Sequence, residues 1–298
     1  MTPEELLSHK PMIDLYLNQG LRPLSCYHFS AIFAWKDFFE FNFEIINDRL
    51  CVWAHQGKDR FLYLPPLGKD ADVPTVQACF ERMQKSRIGR IENISENTLR
   101  DLQGHGYNAH LKAYEYLYRR ADLAGLNGQG YKSKRHDVHV FNQRWPSAEF
   151  RAYQPEDFNG CTALYKQWAE DRRKHNADPV YQAMLEENVQ VHALLLRYFE
   201  PLQLIGRVLV TDGKIAGYTF GYALDNATFC VLLEITDLEK TGAAAHIFNR
   251  FCTDQAVSTF EWINTMDDFG MPQVAKTKES YHPVKKLPVY TLTKKDTS

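Results

Sequence analysis

The chain has 298 residues, enough for one large domain or two of ordinary size. Its 35 Lys+Arg against 37 Asp+Glu give a formal net charge of −2, which excludes a global field drawing it to nucleic acid or membrane, so any basic site must be local. No stretch approaches 18 consecutive apolar residues, and the N-terminus MTPEELLSHK lacks the apolar run of a signal peptide. The six cysteines (Cys26, Cys51, Cys79, Cys161, Cys230, Cys252) lie far apart without zinc-like spacing. These features predict a reduced, cytoplasmic protein with no membrane span.

The first half opens with a helix from Pro3 to about Tyr16, with Thr2 as N-cap and Pro3 at its first position. An aromatic segment, Phe29 to Phe39, follows and is helical in part. Its rings and those just beyond it (Phe33, Trp35, Phe38, Phe39, Phe41, Phe43) read as core, because base-stacking platforms interleave aromatics with cations. FNFEII and LCVWAH flank Asn47-Asp48, a hairpin turn, and RFLYLPPLG is a third strand ended by two prolines. Val76, Cys79, Phe80 and Met83 recur at helical spacing. IGRIENI is a short strand, Ser95 caps a short helix ending near Gly104, and YNAHLKAYEYLYR is a long strand.

A Gly-rich turn then leads into a basic helix over about 131–144 that carries Lys132, Lys134, Arg135 and Arg144. Placed between two halves of similar size, its cations suit an anionic ligand; a solvated basic face is the alternative. Beyond it AEFRAY is a strand, Pro155 opens a helix to about His175, and Tyr181 to Phe199 forms another helix. Arg172-Arg173-Lys174-His175 complements the dipole at the end of the earlier helix. His192 lies on the apolar face of the later one and reads as a core histidine. QLIGRVLV and KIAGYTFGYAL flank Asp212-Gly213, the strongest hairpin signal in the chain. TFCVLLEIT is a strand, Gly242 to Ser258 a helix, TFEWIN a strand, Pro272 to Ser280 a short helix and LPVYTLT a last strand.

The two halves share an order of elements with little identity. A hairpin, a strand, a crossover helix and another strand is the order of GNAT-type acyltransferases. The predicted fold is therefore α+β: two tandem GNAT-like domains, 1–145 including the basic bridging helix and 146–298, each a mixed, mostly antiparallel sheet flanked by helices. In such folds the acyl donor's phosphates sit on backbone N–H groups where the central strand gives way to its helix. The corresponding stretch, Glu239 to Ala244, keeps Gly242 but opens with an acid, and Pro65-Pro66-Leu67-Gly68 in the first half has lost two donors to proline. Neither stretch makes a good coenzyme A site.

Four stretches carry a more specific resemblance: YEYLYRRADLAGLNGQGYKSKRHDVHVF, LIGRVLVTDGKIAGYTFGYAL, LLEITD and INTMDDFGMPQVAKTKESYHP. They resemble the phosphatidylglycerol lysyltransferase C-terminal-domain family, in particular its short, stand-alone bacterial members. The resemblance implies two GNAT-like domains around the basic helix. In the membrane-anchored relatives such a unit moves an aminoacyl group from charged tRNA to a lipid head group. The chain departs from the family pattern at Ile235, where a lysine is expected, at Met266 and Ala275, which replace an acid and an arginine, and at His136, which replaces an asparagine. Losing the acid and the arginine together reads as removal of one ion pair.

The residues that keep the pattern form the candidate site. Glu234, ending an apolar strand, is a general base raised by burial, or else a structural partner of Lys276 or Lys278. Tyr281 protonates a leaving group, or packs. Lys134, Arg135, Lys276 and Lys278 suit a donor's phosphates, or else Lys276 and Lys278 form a solvated helix end. Asn264, Asp268, Ser280 and Gly242 complete the pocket; Asp267-Asp268 beside Asn264 lacks a third hard ligand, so no metal is expected. The expected function is transfer of an acyl or aminoacyl group to an amine or hydroxyl acceptor, a small molecule or lipid head group. Aminoacyl-tRNA, through its acceptor end, ranks ahead of acyl-coenzyme A as co-substrate, and no bound cofactor is expected. The departures leave a second reading open, a non-catalytic protein that binds an acidic ligand or an RNA end.

Overall fold

The computed structural model describes residues 1–57, 59–69, 72–84 and 89–295, the side chain of Val180 excepted. Its elements are α1 (Pro3–Ser8), α2 (Lys10–Leu17), α3 (Phe29–Ala34), β1 (Glu40–Ile46), β2 (Arg49–Gln56), β3 (Asp59–Leu62), α4 (Val73–Arg82), β4 (Arg90–Ser95), α5 (Glu96–Asp101), β5 (Tyr107–Arg119), α6 (Arg120–Gly125), α7 (Lys132–Arg144), β6 (Glu149–Ala152), α8 (Phe158–His175), α9 (Pro179–Arg197), β7 (Ile205–Thr211), β8 (Lys214–Ala223), β9 (Thr228–Thr236), α10 (Ala243–Thr253), β10 (Trp262–Asp267), α11 (Pro272–Glu279) and β11 (Lys285–Lys294). Of the expected strand IGRIENI, Ile88 lies outside the described residues. Both predicted hairpin turns form with the positive φ that type I′ geometry needs: 48° and 59° at Asn47 and Asp48, 52° and 73° at Asp212 and Gly213. The single N-terminal helix expected to Tyr16 is instead two, broken at His9. Pro11 has no N–H to give the Leu7 carbonyl, so the helical ladder cannot continue through it.

The chain divides into two compact units. The first comprises Met1–Tyr116, Met266–Thr277 and the C-terminal segment from Lys285; the second comprises Leu117–Thr265 and Lys278–Val284. This differs from the expected division at 145/146 in two ways. The basic helix α7 belongs to the second unit, because Phe141, fully buried, packs with Leu209, Ala243 and Ile247 of that unit. The C-terminal strand β11 belongs to the first unit, where it pairs antiparallel with β4, Tyr290 opposite Ile94 and Leu292 opposite Ile91.

Within the first unit the strands run β1-β2-β3-β4-β11-β5. The β1–β2, β2–β3 and β4–β11 pairs are antiparallel and the β3–β4 pair parallel. Trp53, Phe29, Phe33, Phe61, Leu62 and Leu292 are buried in its core. The second unit runs β10-β9-β8-β7-β6, with only the β9–β10 pair parallel. On one face of this sheet Tyr218 and Phe220 meet Tyr153, Phe199 and His192. The Tyr218 hydroxyl hydrogen-bonds the His192 ring at 2.7 Å, and burial pushes His192 down to about 3, so it is a neutral, partnered core histidine. Against the other face lie α7 and α10. Each unit is thus a mixed, mostly antiparallel sheet flanked by helices, as the order of elements predicted.

Candidate active site

The face covered by α7 and α10 carries the candidate residues of the second unit. Strand β9 is apolar because the sheet around it is buried, and Glu234 is the acid in that run. Its Oε2 is buried without a hydrogen bond among the described residues. Burial pushes the carboxyl up to about 8, against the opposing pull of the Thr219 hydroxyl and the Lys278 ammonium. Thr219 is the register partner of Glu234 across β8–β9 and is itself fully buried. One residue further along, the register shifts: Phe220 faces Leu233 but Gly221 faces Val231, so Leu232 is bulged and the face presented by β9 changes there.

Lys278 and Tyr281 come from the end of α11 and the turn behind it. Lys278 Nζ donates to the Thr265 carbonyl, and its own carbonyl accepts from the Tyr118 hydroxyl at 2.9 Å. The Tyr281 carbonyl accepts from the Tyr131 hydroxyl at 2.8 Å, and the next residue, His282, places Nε2 3.0 Å from the Gly130 carbonyl. A side chain at Gly130 would put Cβ 2.7 Å from that ring nitrogen, so glycine is what lets the turn seat here. The Tyr281 ring lies edge-on to Phe248, centroids 5.0 Å apart, with Lys134 Nζ 4.0 Å from its centroid. Burial, then the charge of Glu234, holds the Tyr281 hydroxyl well above the ordinary tyrosine range, so it stays protonated. Burial also lowers Lys134, a shift that the neighbouring Asp137 opposes.

Four of the expected residues, Glu234, Tyr281, Lys134 and Lys278, therefore gather in one unit. The others separate. Arg135 turns away from its neighbour Lys134 and donates to the carbonyls of Leu126 and, at 2.7 Å, Gly128, where it stabilises the left-handed turn after α6. Lys276 is exposed and belongs to the first unit. Asp268, also in the first unit, accepts from the Tyr116 hydroxyl at 2.7 Å and from the backbone of Tyr114 and Gly270, which makes it a structural acid. Asn264 is buried on β10, opposite Cys230 of β9 in register, and Ser280 is exposed at the end of α11. Gly242, φ 85°, serves helix packing: a Cβ there would lie 2.1 Å from the Asp137 carbonyl oxygen of α7. The sequence reading missed Thr219 and Thr265. Threonine in a strand reads as a β-former; what marks these two is a buried hydroxyl without a partner among the described residues and, for Thr219, its register opposite Glu234.

The architecture is a GNAT-like fold. The phosphatidylglycerol lysyltransferase C-terminal family model matches residues 21–293, and the chain belongs to that family. A conserved protein of unknown function from Bacteroides thetaiotaomicron is 25% identical, with TM-score 0.84 and 97% of each chain covered. L-PGS from Bacillus licheniformis is 13% identical with TM-score 0.66, covering 97% of this chain and 92% of that one. A tandem GNAT protein from the clavulanic acid biosynthesis pathway is 10% identical with TM-score 0.50, covering 99% and 96%. No curated protein matches the sequence.

Proposed function

We propose that the protein transfers an acyl or aminoacyl group from a phosphate-bearing donor, aminoacyl-tRNA ahead of acyl-coenzyme A, to an amine or hydroxyl acceptor. Glu234 carries the reading: a buried carboxyl with an unpaired oxygen, raised to about 8, beside a lysine and a protonated tyrosine. The acceptor's nitrogen or oxygen bonds to the donor's carbonyl carbon as its proton passes to ionised Glu234. The bond from that carbon to the donor's leaving atom breaks, and Tyr281 gives that atom a proton that solvent later restores. Lys134 and Lys278 supply positive charge at this face for the donor's phosphates.

The choice of donor rests on what the backbone closes. At the N-terminus of α10 the Ala243 N–H already bonds the Lys240 carbonyl at 3.0 Å, and Gly242 abuts the Asp137 carbonyl. In the first unit Leu67 exchanges both backbone hydrogen bonds with Leu50, and a Cβ at Gly20 would lie 2.3 Å from the Gly68 carbonyl oxygen. In each place a backbone N–H that a coenzyme's pyrophosphate would use is already bonded within the chain, which supports aminoacyl-tRNA ahead of acyl-coenzyme A. The test is single-turnover incubation of the purified protein with tRNA charged with a labelled amino acid, and in parallel with acyl-coenzyme A, over a panel of amines and lipid head groups. Label should move from tRNA to an acceptor and depend on Glu234. Binding of charged tRNA without transfer would favour the non-catalytic reading, and transfer from acyl-coenzyme A alone would reverse the order of donors.

A further inference from the structure

Besides Glu234, two buried hydroxyls of the second unit lack hydrogen bonds, and one of them faces it across the strands. Thr219 Oγ1 and Thr265 Oγ1 are, like Glu234 Oε2, buried without a partner among the described residues. Thr219 is fully buried in the middle of β8, flanked in sequence by Tyr218 and Phe220, whose rings fill the opposite face. A valine of nearly the same shape would satisfy strand propensity and packing there without the cost of desolvating a hydroxyl. Its register places it directly opposite Glu234, where paired side chains share a face with Cβ atoms roughly 4.5–5.5 Å apart.

We propose that Thr219 is a positioning residue for the transfer reaction: when Glu234 ionises, the otherwise unpaired hydroxyl facing it across the strands turns to donate to the carboxylate, orienting it toward the acceptor's proton. The assignment rests on the reading of Glu234 as the base. The groups that act on Glu234 are known from each element around it. Thr219 on β8 and Lys278 at the end of α11 favour its ionised form, while Cys252 on α10 and Tyr281 feel its charge. Thr219 is the member of this set that does not titrate. Removing its hydroxyl therefore takes a hydrogen-bond donor from the carboxylate and leaves every charge in place.

The experiment follows the protonated-carboxyl stretch of Glu234 by infrared difference spectroscopy against pH, with Glu234→Gln as the reference that lacks the band. Thr219→Val should move the titration midpoint up by about one pH unit, the scale of a lost hydrogen bond to the charged form, and the rising limb of transfer activity should move with it. Thr219→Ser should bring both back toward the parent values. A midpoint unchanged in folded Thr219→Val protein, as judged by its melting curve, overturns the proposal. If Thr219→Val does not fold, the serine variant decides: a midpoint displaced as far as a hydroxyl loss predicts would show that the hydroxyl is not the operative group. A shifted midpoint in a protein that shows no transfer before mutation would confirm that the Thr219 hydroxyl acts on the Glu234 carboxyl while overturning the transferase reading, and with it a positioning role in transfer.

Discussion

Glu234 joins stability and activity in one titration. Its carboxyl is raised to about 8 in the folded protein, well above its value in the unfolded chain, roughly 4.3. The folded state therefore holds a proton that the unfolded state releases. The stability this contributes is complete below about pH 4 and is lost as pH climbs through about 8. The loss is on the order of 3 kcal/mol once residual solvent access is allowed for. Glu234→Gln should lack that alkaline decline, which chemical denaturation at pH 5 and pH 8.5 will show; equal declines in both proteins would place the charge elsewhere. Only about one molecule in ten has the base ionised at pH 7. Transfer should accordingly rise with pH to a plateau above about 8, and Glu234→Gln should lower it by roughly 10²–10⁴. The neighbours Lys134 and Arg135 should part company. Lys134→Ala should weaken donor binding and flatten its salt dependence, whereas Arg135→Ala should cost about 1–2 kcal/mol of stability by releasing the Leu126 and Gly128 carbonyls. Reversed effects in paired titrations would exchange their roles. Glu234 was legible in the sequence because an acid inside VLLEI has few reasons to be there. Thr219 was not, since its significance lies in a cross-strand partner fifteen residues away.

At the scale of elements, α7 shows how local pattern and tertiary role diverge. Its sequence is so polar that it reads as a cationic surface, and Phe141 is the buried anchor that seats it on α10. The complementary surface is the first turn of α10, where Gly242 brings backbone against backbone. Gly242→Ala would place a methyl group inside the Asp137 carbonyl and strain a left-handed φ of 85°. Adding about 1–2 kcal/mol for the backbone to the 1–3 kcal/mol typical of overpacking gives an expected loss of roughly 2–5 kcal/mol. Urea unfolding should report it, with hydrogen exchange accelerated in α7 and the start of α10. Stability within about 0.5 kcal/mol of the parent would mean that the helices yield without cost. The glycine itself was visible in the sequence and its positive φ is in keeping with its type. Its partner was not, because helix-to-helix contacts leave no periodic mark on a segment of so few apolar residues. Strands and hairpins were the more legible elements: period-two alternation and the Asn-Asp and Asp-Gly turns are local, and the structure places β5 and β9 over the stretches expected.

Across the whole molecule the consequential feature is that neither unit is a continuous piece of chain. The first unit is completed by β11, after the chain has built all of the second. Nothing in LPVYTLT announces this, since a strand's partner is set by long-range register and the same alternation fits either unit. The energetics are concrete. Val289 and Leu292 are 1% and 0% exposed, and burying such side chains is worth about 1.5–3 kcal/mol each. The β4–β11 ladder adds its hydrogen bonds, at about 1 kcal/mol apiece, and its loss would leave buried partners on β4 unpaired. The total, roughly 5–10 kcal/mol, is comparable with the whole stability of a domain. A chain ended after Val284 should therefore lose slow hydrogen exchange throughout 1–116, β4 first, while the second unit's central strands β8 and β9 keep theirs. A peptide spanning 285–295, added in trans, should restore protection to β4 in proportion to its concentration, as expected for a ligand that binds only the folded state. Full protection of β4 in the shortened chain would show that the first unit is stable without its last strand. Protection lost equally from β8 and β9 would show that the two units unfold as one.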